Sequence, residues 1–141
     1  MAGMVRPTEG QARPASIEAM SRILVVADAP WVRNGVHAAL SDPGMELIDH
    51  DDPATAASRA LAEEADAVVV DLQIDAMGGM AVTRAIREVE PTEGAIPVVL
   101  LLDRAADAFL ARRAGADRWV KKPFDPPELR DAVRAVTSGT P

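Results

Sequence analysis

The sequence predicts an α/β fold: a single domain on a doubly wound, five-stranded parallel sheet with five helices. Three observations predict it. From Ser21 onward, short apolar runs alternate five times with segments of helical spacing, the pattern of strand–helix–strand units with right-handed crossovers. The third run, Val68-Val69-Val70, is apolar throughout, as a strand covered on both faces must be. Two of the runs end in an aspartate, Asp28 and Asp71, and the last is followed by Lys122. The carboxyl ends of parallel strands are where open α/β sheets place their ligands.

Taken in order, Ile23 to Ala27 reads as a buried first strand. Val32, Val36, Ala39 and Leu40 recur at helical spacing, and Pro43-Gly44 ends that helix. Met45 to His50 alternates apolar and polar residues, an edge strand. Pro53 to Glu64 is an alanine-rich helix with Asp52 as its cap and Pro53 at its first position. Ala67 to Asp71 is the third strand. Met80, Ile86 and Val89 mark the third helix, stopped before Pro91. Ile96 to Leu102 is the fourth strand, and Phe109 and Leu110 anchor a fourth helix ending at Gly115. Arg118 to Val120 forms a brief fifth strand, and Leu129, Val133 and Val136 give the last helix its buried stripe. Residues 1–20, with two prolines, two glycines and no apolar periodicity, are expected to be a disordered tail. The folded domain is expected over 21–138, with no effector domain.

Composition excludes several classes of function. The 141 residues suit one domain, and 48% are apolar. Only 3% are aromatic, so the core must be aliphatic. Without cysteine there is no disulfide, thiolate metal site or thiol nucleophile. A net charge of −7 argues against a nucleic-acid partner. No apolar run has the length of a membrane span, and the N-terminus lacks a signal peptide's apolar segment, so the expected location is cytoplasmic with no membrane contact.

Three segments carry a resemblance: ILVVADAP, VVVDLQIDAMGGM and GADRWVKKPFDPPEL. In kind and order they resemble the receiver domain of two-component response regulators, over residues 22 to about 137. The resemblance implies a flavodoxin-like sheet of order 2-1-3-4-5, and a signalling module rather than an enzyme. It implies that Asp71 accepts a phosphoryl group and that Lys122, aimed inward by a cis Lys122-Pro123 bond, pairs with it. Mg2+ would be held by Asp28, Asp71 and the backbone carbonyl of Gln73. The implied partners are a sensor histidine kinase or phosphotransfer protein and a downstream protein target, with homodimerisation left open. Output would pass through the fourth helix, fifth strand and fifth helix, where Arg104, Asp107, Arg112, Trp119 and Arg134 are expected to be exposed. Gln73 and Arg104 would flank the phosphoryl group.

Two positions depart from that family. Ala27 stands at the first of a pair of acids, and Leu102 stands where a Thr or Ser hydroxyl would meet the phosphoryl group and couple it to the switch aromatic, here Trp119. Leucine cannot donate that hydrogen bond. The alternative is therefore a degenerate receiver that binds its partner regardless of phosphorylation. A phosphohydrolase on a similar sheet would need an acid two residues after the nucleophile, where Gln73 stands. The turn from Ala27 to Gly35 lacks the glycines of a dinucleotide site.

Other residues have plainer roles. Asp103 reads as a helix N-cap, the alternative being an anion close enough to compete with Asp71 for Lys122. Asp75 and His37 read as solvated. His50 with Asp49, Asp51 and Asp52 reads as a solvated turn before a weak metal site, and Gly78-Gly79 as a flexible turn. Trp31 either flanks the site or packs. Arg112-Arg113 is too short for a nucleic-acid patch.

Overall fold

Strand runs of valine, leucine and isoleucine leave no polar face, and the computed structural model of the chain, which describes residues 20–75, 77–89 and 95–137, buries them on both sides. The elements are β1 (Ser21–Val26), α1 (Pro30–Ala39), β2 (Met45–His50), α2 (Ala56–Ala62), β3 (Ala67–Asp71), α3 (Gly79–Glu88), β4 (Val98–Leu102), α4 (Ala108–Ala114), β5 (Arg118–Lys121) and α5 (Pro126–Thr137). The sheet is parallel in the order β2-β1-β3-β4-β5. All but Met20 of the expected N-terminal tail lies outside the described residues, as do Pro91 and residue 138.

Side chains alternate across the sheet with period two. Leu24, Val26, Val68, Val70, Leu100 and Leu102 face α2, α3 and α4. Ile23, Val25, Val69, Val99, Leu101 and Val120 face α1 and α5. The register sets Val26 beside Val70 and Asp71 beside Leu101. That alignment brings the ends of β1, β3 and β4 to one rim. No helix among the described residues is long and apolar enough to cross a membrane.

Four local expectations need correction. The helix read over Pro53 to Glu64 is a 3-10 turn, Pro53–Thr55, followed by the shorter α2. Asp52 does cap it, accepting the Ala54 N–H at 3.0 Å, but Glu64 takes a left-handed φ of 54° and ends the run early. β4 starts at Val98, after Ile96 and Pro97, since proline has no N–H for the ladder. Phe109 and Leu110 do not anchor α4. They are exposed, and the helix instead buries Ala111 and Ala114, with Ala108 partly buried beside them, short side chains that allow its close approach to the sheet. Val89 caps α3 at the surface instead of continuing its stripe.

Asp107 is buried, not exposed as expected. Its carboxylate accepts the Arg104 guanidinium at 2.9 Å and the Arg104 N–H at 3.3 Å, closing the turn before α4. The Arg104 hydrogen bond holds this carboxyl below the usual carboxylate range, against the opposing effect of burial. Asp42, bonded by the Gly44 N–H and by Arg134, is held low in the same way. A depressed carboxyl stabilises the fold above the unfolded-chain value, about pH 4, and loses that effect as pH falls through the lower folded value. Urea unfolding is expected to show stability declining in acid below about pH 4, and Asp107→Asn is expected to flatten the decline.

Candidate functional site

The site is built where three strands stop. β3 ends in Asp71, whose side chain cannot turn to solvent because its residue is only 1% exposed. Its Oδ1 accepts the Gln73 N–H at 3.1 Å and the Lys122 ammonium. Lys122 follows β5 and is itself 5% exposed. Its own N–H donates to the Leu102 carbonyl at 2.7 Å, which ties it to the end of β4. The Lys122-Pro123 bond is cis. A buried ammonium directed at a buried carboxylate is costly to desolvate, so such a pair survives only where both charges are compensated.

Asp28 lies two residues past β1 and is half-buried. Its Oδ2 accepts the Asp75 N–H at 3.0 Å. The loop after β3 therefore gives one amide to Asp71 and another to Asp28, which links the two acids through a single backbone segment. Asp75 itself is exposed, as expected. Among the described residues, Oδ2 of Asp71, Oδ1 of Asp28 and the Gln73 carbonyl accept no hydrogen bond. Among the same residues, no three His, Cys, Asp or Glu side chains gather into a metal cage. Two carboxylates and a carbonyl suit a hard cation that keeps several waters, which is the habit of Mg2+.

Gly79 makes this geometry possible. A Cβ there would lie 2.6 Å from the Asp71 carbonyl oxygen and 2.7 Å from Leu72 Cα, both backbone. The Gly79 N–H also donates to the Leu72 carbonyl at 3.1 Å. The pair read as a flexible turn is thus two different constraints: Gly78 turns with a φ of 84°, and Gly79 is a close approach that seats α3 against the Asp71 loop. Gly79→Ala is expected to lower stability by about 2 kcal/mol, measured by urea denaturation.

The two departures fall in the core. Ala27 is buried among α1 and α5 side chains, and its carbonyl accepts the Arg33 guanidinium at 3.2 Å. Leu102 is buried against the α2–α4 layer, where Trp119 also packs, partly buried and not exposed as expected. The Arg112 guanidinium lies 5.4 Å over the Trp119 ring. Trp31, 61% exposed, flanks the site: Lys122 Nζ stands 5.7 Å from its ring centroid. His37 pairs with Asp49 at the surface, and His50 bonds to Thr55 and Arg59. Arg134 is engaged by Asp42, while Arg104, although paired with Asp107, is largely exposed.

Asp103 is not the N-cap its residue type suggested. Arg104 occupies that position. Asp103 instead turns back to the rim, with Oδ1 3.2 Å from Lys122 Nζ.

Comparisons with known proteins bear on the family and the fold. A family profile described as "Response regulator receiver domain" matches residues 23–134. The chain is 31% identical to the nitrate/nitrite response regulator protein NarP of Escherichia coli, over 84% of this chain and 56% of NarP. It is 29% identical to Protein PilH of Pseudomonas aeruginosa, over 85% of this chain and 100% of PilH. The chain spans about half the length of the curated relatives it matches, such as NarP, but all of PilH. Among solved structures it resembles the receiver domain of sensor histidine kinase PA1611 from Pseudomonas aeruginosa, described with a magnesium ion coordinated in the active site cleft. There the TM-score is 0.75 at 25% identity, over 86% of this chain and 100% of that one.

Proposed function

This chain belongs to the response regulator receiver family, and from that premise we propose that it accepts a phosphoryl group on Asp71 from a histidine kinase or phosphotransfer protein. The observation that carries this reading is the buried contact between Lys122 and Asp71. Asp71 is the nucleophile, and its Oδ2 is the carboxylate oxygen left without a hydrogen bond among the described residues. Lys122 neutralises the acceptor before transfer and holds a phosphoryl oxygen after it. The Gln73 N–H orients the acceptor carboxylate. Asp28, Asp71 and the Gln73 carbonyl would hold Mg2+, which supplies charge neutralisation between the acceptor and the incoming phosphoryl group. With Ala27 in place of an acid, metal binding is expected to be weak, while repulsion toward the donor is also reduced. The signal would leave through protein contacts at α4, β5 and α5, where Arg104 and Arg112 are exposed. The setting is a cytoplasmic one.

A second reading keeps the fold and drops the switch. Its support is Leu102, buried at the end of β4, whose side chain has no hydroxyl to join the phosphoryl group to Trp119. The two readings separate on adding beryllofluoride with Mg2+ and following emission from Trp31 and Trp119. A saturable change supports the phosphoacceptor, whereas silence at saturating metal supports a phosphorylation-independent binding module.

A further inference from the structure

Lys122 serves two anions, and only one of them is the acceptor. Asp103 Oδ1 lies 3.2 Å from its ammonium. Asp103 Oδ2 is shut off from solvent and has no hydrogen-bond partner. A carboxylate in that state is stabilised chiefly by the cation it touches. Any anionic group arriving on Asp71 needs the same ammonium, and placing a second anion beside Asp103 adds like-charge repulsion. The Asp103 side chain is still 35% exposed, so a rotation can return it to water.

Resting on the phosphoacceptor reading above, we propose that Asp103 is a positioning residue: a built-in counter-anion on Lys122 that a phosphoryl group at Asp71 must displace. Asp103 directly follows β4 and precedes Arg104, the cap of the turn before α4. Its expulsion therefore moves the segment that begins the output face. The coupling is a push on Asp103 where the family uses a pull on a hydroxyl, so Leu102 does not cut the site off from α4.

The test titrates beryllofluoride, with saturating Mg2+, into wild type, Asp103→Asn and Asp103→Ser, reading bound fluoride by fluorine NMR. Mg2+ alone is titrated in parallel through the emission of Trp31 and Trp119. Both variants are expected to bind beryllofluoride roughly five- to tenfold tighter, the effect of one partly screened ion pair. Their Mg2+ affinity should not rise, since removing a carboxylate gives a cation nothing. A merely structural role would move the two affinities together. Beryllofluoride affinity that is unchanged or weaker in both variants overturns the counter-anion role while leaving Asp71 as acceptor. Absence of binding in all three proteins overturns the acceptor reading and this inference with it. Should the Asn form fail to fold, the Ser form decides.

Discussion

Lys122→Met is expected to lower stability by about 3 kcal/mol and phosphoryl uptake on the order of a hundredfold. The change removes the one cation that, among the described residues, contacts both Asp71 and Asp103. Asp71, buried at the end of β3, would retain the Gln73 N–H, and Asp103 Oδ2 would gain nothing. Three carboxylates, counting Asp28, would then share one rim without a fixed positive charge. Methionine matches the lysine stem in length, so lost packing adds little and the measured change reports charge. Urea unfolding gives the stability difference, and the initial rate of mass gain from a small phosphodonor gives the uptake.

Asp71→Asn is expected to abolish beryllofluoride binding and phosphoryl uptake while altering stability by no more than about 1 kcal/mol. Lys122 keeps a carboxylate in Asp103 after this change, so its buried charge stays compensated. Removing one acid from the pair with Asp28 also relieves repulsion, which offsets part of the lost ion pair. The asymmetry between the two variants follows from the number of partners each group has. A large stability loss in Asp71→Asn would show that Asp103 does not compensate Lys122. Fluorine NMR and urea unfolding on one preparation read both effects.

Much of this architecture is legible in the sequence. Val68-Val69-Val70 and the apolar run before Asp28 announced buried parallel strands, and the parallel register then placed Asp28, Asp71 and Lys122 on one rim. Topology dictates that Asp71 and Lys122 sit at strand ends, and the resemblance to the receiver family implied that they pair. Asp103 was ambiguous for a physical reason. An aspartate before a helix satisfies a local capping preference, whereas its actual partner is an ammonium on another strand, and only packing decides between them. Phe109 and Leu110 misled because bulk suggested an anchor, while a short helix lying close to the sheet buries alanine. Gly79 showed no local signal of its role. Its constraint is the Asp71 backbone beside it, which spacing alone does not reveal. The loop amides that Gln73 and Asp75 give to the two acids were likewise invisible, since backbone donors carry no residue type.

The most direct measurement is the intact mass of the protein after incubation with Mg2+ and acetyl phosphate, with the modified residue mapped by borohydride reduction and peptide sequencing. The expected result is a gain of one phosphoryl group by wild type, located on Asp71 and absent from Asp71→Asn. A wild type that gains no mass at saturating Mg2+, or an Asp71→Asn form that gains as much as wild type, would contradict it.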